Sequence, residues 1–406
     1  MVRLSTRRPT PRCIGFLALG GALALTACSL PAPAPSPVVP TLDGAAPLVI
    51  AHRGASGHLP EQTLEAYAHA IDLGADVIEM DLLSTSDGVL VTRHDPNLAI
   101  STDVADHPEF GGRTKTIQVD GETQTGWFIN DFSLADLRTL RAVSTDPERP
   151  QQFNRRYKIP TFQEVIELAK TKSHETGRTI GIYPETKNPT YFRENRLPLE
   201  DKVIAAIEAA GWNSRSAPVW VQSFEPGSLK YMKSKGLKTR LVQLIDGDGV
   251  NPKTGAVTFA VPSDRPYDWT RAGDKRHFDA MVTPAGLAEI KSYADGIGPW
   301  KRYIISIKGT VGPDGKAVDV NKDGKIDDAD SVSMAPTTLV TDAHRAGLFV
   351  HPFTFRNESR RLAADYERDP RKEYAAFYRA GVDGVFTDFT DTALAARAVW
   401  LGMAPR

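Results

Sequence analysis

Cysteine is nearly missing from this chain of 406 residues: Cys13 and Cys28 are the only two, and nothing after position 28 carries a thiol. That excludes a disulfide framework, a thiol nucleophile and a sulfur-ligated zinc from the body of the protein. A charge excess is missing too, with 49 basic side chains against 50 acidic ones. The first 27 residues hold four arginines and no acid, so the remainder is net acidic, which speaks against nucleic acid as a partner. Beyond the N-terminal segment no run approaches the ~20 consecutive apolar residues that span a bilayer. No Gly-rich dinucleotide fingerprint follows the first strand-like segment, which weighs against a doubly wound nucleotide-binding sheet.

The N-terminus reads as an export signal. Arg3, Arg7, Arg8 and Arg12 form a basic region, residues 14–25 an apolar one, and Leu25-Thr26-Ala27-Cys28 resembles the lipobox of bacterial lipoproteins. Residues 1–27 are therefore expected to be removed and Cys28 lipidated, with an ordinary secretory signal as the alternative. Residues 28–46, rich in Pro, Ala and Ser, read as a tether. The expected product is an exported, periplasmic or cell-surface protein whose only membrane contact is this lipid anchor.

From residue 47 to 406 short apolar runs alternate with helical patterns. Strand candidates are 48–51, 76–83, 179–183, 219–223, 239–245, 348–352 and 384–388. Helix candidates are 61–73, 134–142, 161–171, 201–210, 226–235, 335–346, 372–380 and 392–401. Strand followed by helix, with polar residues where strands stop, predicts an α/β fold, best matched by a (β/α)8 TIM barrel. The segment is longer than the ~250 residues of such a barrel, so insertions are expected, at about 97–130 and 246–333.

The chemistry concentrates between residues 49 and 95. His52 and Arg53 end an apolar run, and Glu79 and Asp81 lie two apart inside a strand, which points both carboxylates to one face. At an effective dielectric near 20 such a pair repels by about 4 kcal/mol, so the face needs a cation, a proton or open water. Glu185, at a later strand end with Lys187, can join them as an oxygen ligand for a hard cation, calcium or alternatively magnesium. Arg53 and Lys187 suit a phosphate ester beside that cation. His52 and His94 supply residue types able to give and take protons near neutral pH. Glu61 follows Pro60, either as a further ligand or as an acid favouring a helix N-terminus. Gln222, Trp300 and Phe353 are expected to line the substrate cleft. His351 at another strand end lines it or packs, and Glu225 and Asp388 are candidate helix caps.

A second cation motif lies at 319–330. Asp319, Asn321, Asp323, Asp327 and Asp330 fall at loop positions 1, 3, 5, 9 and 12, with Gly324 at 6 and the Lys325 carbonyl at 7. This is the EF-hand spacing with Asp for Glu at the last position, as in dockerin-type loops. A second, structural calcium is expected there.

HRGASGHLPEQT, the EMD strand, RHD and PETK together resemble the glycerophosphodiester phosphodiesterase family. GWFINDFSLADLRTLRA, VQSFEP, YADGIGPW, VHPFTFR and GVFTDF resemble its larger, periplasmic branch. The resemblance implies hydrolysis of glycerophosphodiesters to sn-glycerol 3-phosphate and an alcohol through a cyclic phosphate, in a barrel with an insertion after its second strand. It implies acid/base roles for His52 and His94, phosphate contacts for Arg53 and Lys187, and metal ligation by Glu79, Asp81 and Glu185, with Glu61 a less certain member. Gln62 departs from the Asn found in many relatives. Two alternatives stay open: a lysophospholipid or inositol phosphodiester as substrate, and a surface lipoprotein that only binds a phosphorylated ligand.

Overall fold

A computed structural model of the chain describes residues 39–403. The expected export signal, Cys28 and most of the expected tether lie outside the described residues. Eight strands, β1 (Leu48–Ala51), β2 (Val77–Ser84), β3 (Gly181–Thr186), β4 (Trp220–Ser223), β5 (Arg240–Ile245), β6 (Gly296–Pro299), β7 (Phe349–Val350) and β8 (Gly384–Thr387), run parallel in the order β7-β6-β5-β4-β3-β2-β1-β8. The ring closes between the ends of that list. Asp383 N–H donates to the Val350 carbonyl at 2.9 Å, and Phe355 N–H to the Phe386 carbonyl at 2.8 Å. Each strand is followed by a helix: α1 (Leu64–Leu73), α2 (Phe162–Thr176), α3 (Glu200–Ala209), α4 (Pro226–Ser234), α5 (Pro284–Lys291), α6 (Leu339–Arg345), α7 (Pro370–Ala380) and α8 (Thr390–Trp400). This is the expected (β/α)8 barrel. Among the described residues no helix is long and apolar enough to cross a membrane.

Strand alternation sorts the core in two. Ile50, Val77, Tyr183, Val242 and Phe386 fill the barrel interior, while Val49, Ala51, Ile78, Met80 and Leu82 pack outward against the helices. Glycines at inward positions leave room for rings. A Cβ on Gly296 would lie 2.2 Å from Phe349, and one on Gly181 2.8 Å from Trp220. His351 belongs to this floor: it is buried, 3.1 Å from the Tyr183 hydroxyl, and packs rather than lining the cleft.

The structure changes several expected boundaries. The second expected insertion, 246–333, contains β6 and α5, so it is two excursions separated by barrel elements. Gly296-Ile-Gly-Pro299 lacks the β-branched run that marks a strand, because its glycines are spent on close packing. β3 extends through Thr186, placing Glu185 inside the strand rather than beyond its end. α1 starts at Leu64 because the Thr63 hydroxyl accepts from Ala66 N–H at 3.1 Å as its N-cap. Glu61 therefore lies ahead of the helix.

In the excursion after β2, a hairpin (Lys115–Val119 with Glu122–Gly126) carries the turn Asp120-Gly121. Asn188 donates to Asp120 at 2.6 Å, and Gly121 packs beside Pro262 and Tyr267. The hairpin thus reaches over one flank of the barrel mouth.

Candidate active site

The inward alternation that fills the floor puts Glu79 and then Asp81 above Val77 on β2. Asp81 is the register partner of Glu185, and Glu185 that of Gln222. Three neighbouring strands thus present oxygen side chains at one level. Ligand atoms of Glu79, Asp81 and Glu185 lie within 4.8 Å of one another, all three residues buried. No other such set occurs among the described residues.

Two cations flank the set. Arg53 Nε lies 3.3 Å from Asp81, and Lys187 Nζ 3.1 Å from Glu185 and 3.7 Å from Asp81. Arg53 adopts a left-handed backbone, φ +59°, a strain on the order of 1 kcal/mol or more for a non-glycine residue. The turn aims its N–H at Glu79 Oε2, 2.8 Å away. Glu61 pairs with the Arg53 guanidinium at 3.1 Å and stands outside the three-carboxylate set. It orients the arginine. Gln222 donates to Glu79 at 3.1 Å, and Gln62 bridges the Tyr67 hydroxyl to Asp81.

Burial drives the Glu79 pKa well above the ordinary carboxylate range, with Asp81 adding to the push. Burial raises Glu185 to about 8, against the pull of Lys187. Burial acts in the same sense on Asp81, but Lys187 and Arg53 outweigh it and hold Asp81 far below its usual range. Burial thus favours the protonated form of Glu79 and Glu185, while Lys187 and Arg53 favour the charged form of Asp81. The donors of the cluster are all oxygen, and the buried Gln222 Oε1 beside them lacks a hydrogen-bond partner. The residues fit a hard divalent ion.

The histidines stand at the rim of the same cleft, of about 790 Å³, with Arg53, Lys187, Gln222, Trp300 and Phe353 also in its wall. His52 Nδ1 lies 2.7 Å from Asp388 Oδ1. Burial lowers the His52 pKa and Arg53 lowers it further, while Asp388 pulls it back up. His94 Nδ1 lies 3.1 Å from the Asp95 carboxylate.

Several residues differ from their expected places. Asp388 caps no helix: α8 has Phe389 at its N-cap position and no side-chain cap bond. Glu225 occupies the N-cap position of α4 without a cap bond; its carboxylate accepts from Thr190 N–H at 3.3 Å and from the Thr190 hydroxyl. Gln62 and Arg149 act at the site without having signalled it, Gln62 standing out only as a departure from the family's asparagine.

The 319–330 loop is not remote from the cleft. Ile326, Asp327 and Asp328 help line it, and Asp328 pairs with buried Arg302 at 2.7 Å. Within the loop, Asp319 accepts from Gly324 N–H at 2.9 Å and Asp323 from Lys325 N–H at 2.9 Å. Asn321 accepts from Asp323 N–H at 2.9 Å, and Asp330 from Val320 N–H at 2.7 Å.

Glu225 supports a stability prediction. Burial raises its pKa from 4.5 to about 8, so ionising it costs folding free energy. That cost is absent below the unfolded value, grows as pH rises, and is complete above about pH 8. Glu225→Gln should stabilise the protein at alkaline pH by on the order of 5 kcal/mol at most. Melting curves at pH 5.5, 7 and 9 should show the variant's advantage widening with pH; a gap independent of pH would show that Glu225 is ionised throughout.

Fold and site together define the class: a TIM-barrel protein with a buried three-carboxylate set, fit for a divalent cation, between Arg53 and Lys187, toward the strand ends where such barrels act. Comparison with known proteins gives the family. The sequence pattern of the Glycerophosphoryl diester phosphodiesterase family matches residues 52–392. A glycerophosphodiester phosphodiesterase of Arabidopsis thaliana is 35% identical over 374 residues, covering 89% of this chain and 88% of the relative. One of Haemophilus influenzae is 30% identical over 369 residues, covering 85% and 88%. Among solved structures, a glycerophosphoryl diester phosphodiesterase from Silicibacter pomeroyi aligns with TM-score 0.54 and 18% identity, over 89% of this chain and 97% of that one. A phosphodiesterase of Oleispira antarctica, in complex with the product sn-glycerol-3-phosphate, aligns with TM-score 0.50 and 20% identity, over 88% and 98%. The chain belongs to the glycerophosphodiester phosphodiesterase family and is an enzyme of that activity.

Proposed function

We propose that the enzyme hydrolyses glycerophosphodiesters to sn-glycerol 3-phosphate and an alcohol by acid/base catalysis from His52 and His94, with calcium at Glu79, Asp81 and Glu185. The observation that carries this reading is the buried carboxylate set held between Arg53 and Lys187, with both histidines on the same cleft. Arg53 and Lys187 bind and orient the phosphate oxygens. One histidine takes the proton of the glycerol 2-hydroxyl as it attacks phosphorus, and the other protonates the departing alcohol oxygen. The same pair, in exchanged roles, opens the cyclic phosphate with water. A bound divalent ion supplies charge neutralisation to the phosphate and a fixed seat for the glycerol oxygens. The product named in the Oleispira antarctica complex supports this substrate class.

The test is direct. Purified protein should release glycerol 3-phosphate from glycerophosphocholine, stop with a chelator, and recover with calcium more fully than with magnesium. Faster turnover of a lysophospholipid or an inositol phosphodiester under the same conditions would move the substrate assignment.

Two further proposals rest on sequence. Residues 1–46 support export with a lipid anchor at Cys28, checked by metabolic labelling with a radiolabelled fatty acid. The loop at 319–330 is proposed to hold a second, structural calcium. Calcium should then raise the melting temperature of a Glu79→Gln, Asp81→Asn variant but not of one also carrying Asp319→Ala. An equal rise in both would remove the second site.

A further inference from the structure

We propose that Asp388, clamped by Arg149 and Arg356, is a positioning residue that fixes His52 with the proton on Nδ1, leaving Nε2 as the nitrogen that meets the substrate. The two oxygens of Asp388 have separate tasks. Oδ1 faces His52 Nδ1 at 2.7 Å, while Oδ2 accepts from Arg149 at 2.6 Å and from Arg356 at 3.0 Å. Asp388 is 1% exposed at the end of β8. A buried carboxylate with two guanidiniums on one oxygen stays ionised, and an ionised carboxylate only accepts hydrogen bonds. The 2.7 Å contact therefore requires a proton on His52 Nδ1.

The clamp is itself held. Arg149 also donates to Glu358 at 2.8 Å and to the Ser56 carbonyl at 3.3 Å, and its guanidinium lies 5.6 Å from the Phe389 ring centroid. Arg149 comes from the excursion after β2, Arg356 from the segment after β7, and Asp388 from the residue that follows β8. Three distant segments meet to fix one imidazole. Other charged groups acting on His52 include Arg53, Asp81 and Glu61. The hydrogen bond at Nδ1 is the one to Asp388. A wrongly protonated histidine in an otherwise intact site loses turnover rather than binding.

The proposal rests on His52 acting as acid or base, but its first test does not depend on turnover. Calcium-loaded protein labelled with ¹⁵N-histidine is examined at pH 8, with His52 resonances assigned by their loss in His52→Asn. The expected wild-type spectrum has a protonated Nδ1 and an unprotonated Nε2. The opposite tautomer overturns the proposal whether or not the enzyme hydrolyses glycerophosphodiesters. Asp388→Asn should then lose the tautomer preference and lower kcat by about 10³-fold with KM within about threefold. Asp388→Glu should recover part of that loss, and Arg149→Gln should lower kcat less than Asp388→Asn. A folded Asp388→Asn protein with wild-type kcat, or with the wild-type tautomer despite lowered kcat, overturns it.

Discussion

Replacing His52 and His94 together by alanine should lower the release of glycerol 3-phosphate from glycerophosphocholine by at least about 10⁴-fold while leaving KM within severalfold. Each single variant should cost about 10² to 10⁴-fold, and the two losses should not multiply, because attack and departure share one transition state. Binding is spared for a structural reason. In the proposed mechanism Arg53 and Lys187 hold the phosphate and the three carboxylates hold the cation, and neither histidine belongs to the carboxylate set. Calorimetric affinity for calcium should therefore be unchanged in both single variants. A p-nitrophenyl phosphodiester of glycerol, whose leaving group needs no proton, separates the roles: the variant that recovers on it has lost the acid. A double variant within tenfold of wild type would take both residues out of the reaction.

Cation uptake should be coupled to proton release, and steeply so. Without a cation, burial keeps protons on Glu79 and Glu185, the latter up to about pH 8, while Asp81 stays ionised between Arg53 and Lys187. A divalent ion needs the carboxylates ionised, so binding must displace those protons. Apparent calcium affinity at this site should fall as pH drops below 8, by about tenfold per pH unit for each proton displaced. Calorimetry in two buffers of different ionisation enthalpy counts the protons directly. The Asp319→Ala background isolates this site from the proposed loop site. Glu185→Gln should lose about 10²-fold or more in calcium affinity and much of its pH dependence. Calcium binding in the Asp319→Ala protein that releases no protons between pH 6.5 and 8 would mean that the buried carboxylates are already ionised, contrary to their surroundings.

What could be read before folding was whatever obeys a local rule. Seven barrel strands showed as apolar runs, and Glu79 and Asp81 as carboxylates two apart on a strand. β6 did not, because Gly296 and Gly298 are chosen by neighbouring side chains across the barrel, a pressure no window along the chain records. Glu185 was recognised as a ligand but placed beyond its strand, since Pro184 reads as a terminator while in the barrel it simply continues β3. The largest gap concerned partners. Arg149 reaches Asp388 across 239 positions, and Glu61 turns out to orient Arg53 rather than open a helix. Such pairings are set by ring closure and loop placement. The calcium-type loop was legible as spacing, but its place beside Arg302 on the cleft wall was not.

The barrel floor has a kinetic consequence. Tyr183, Trp220, Phe349, Phe386 and their glycine neighbours seal the interior beneath the carboxylates, and the Asp120-Gly121 turn stands over one flank of the mouth. Among the described residues the filled floor leaves no passage beneath the carboxylates, so traffic uses the mouth. Glycerol 3-phosphate and the released alcohol must back out along the path the next substrate uses, so accumulated product competes with substrate for entry, and a slow exit would throttle a fast reaction.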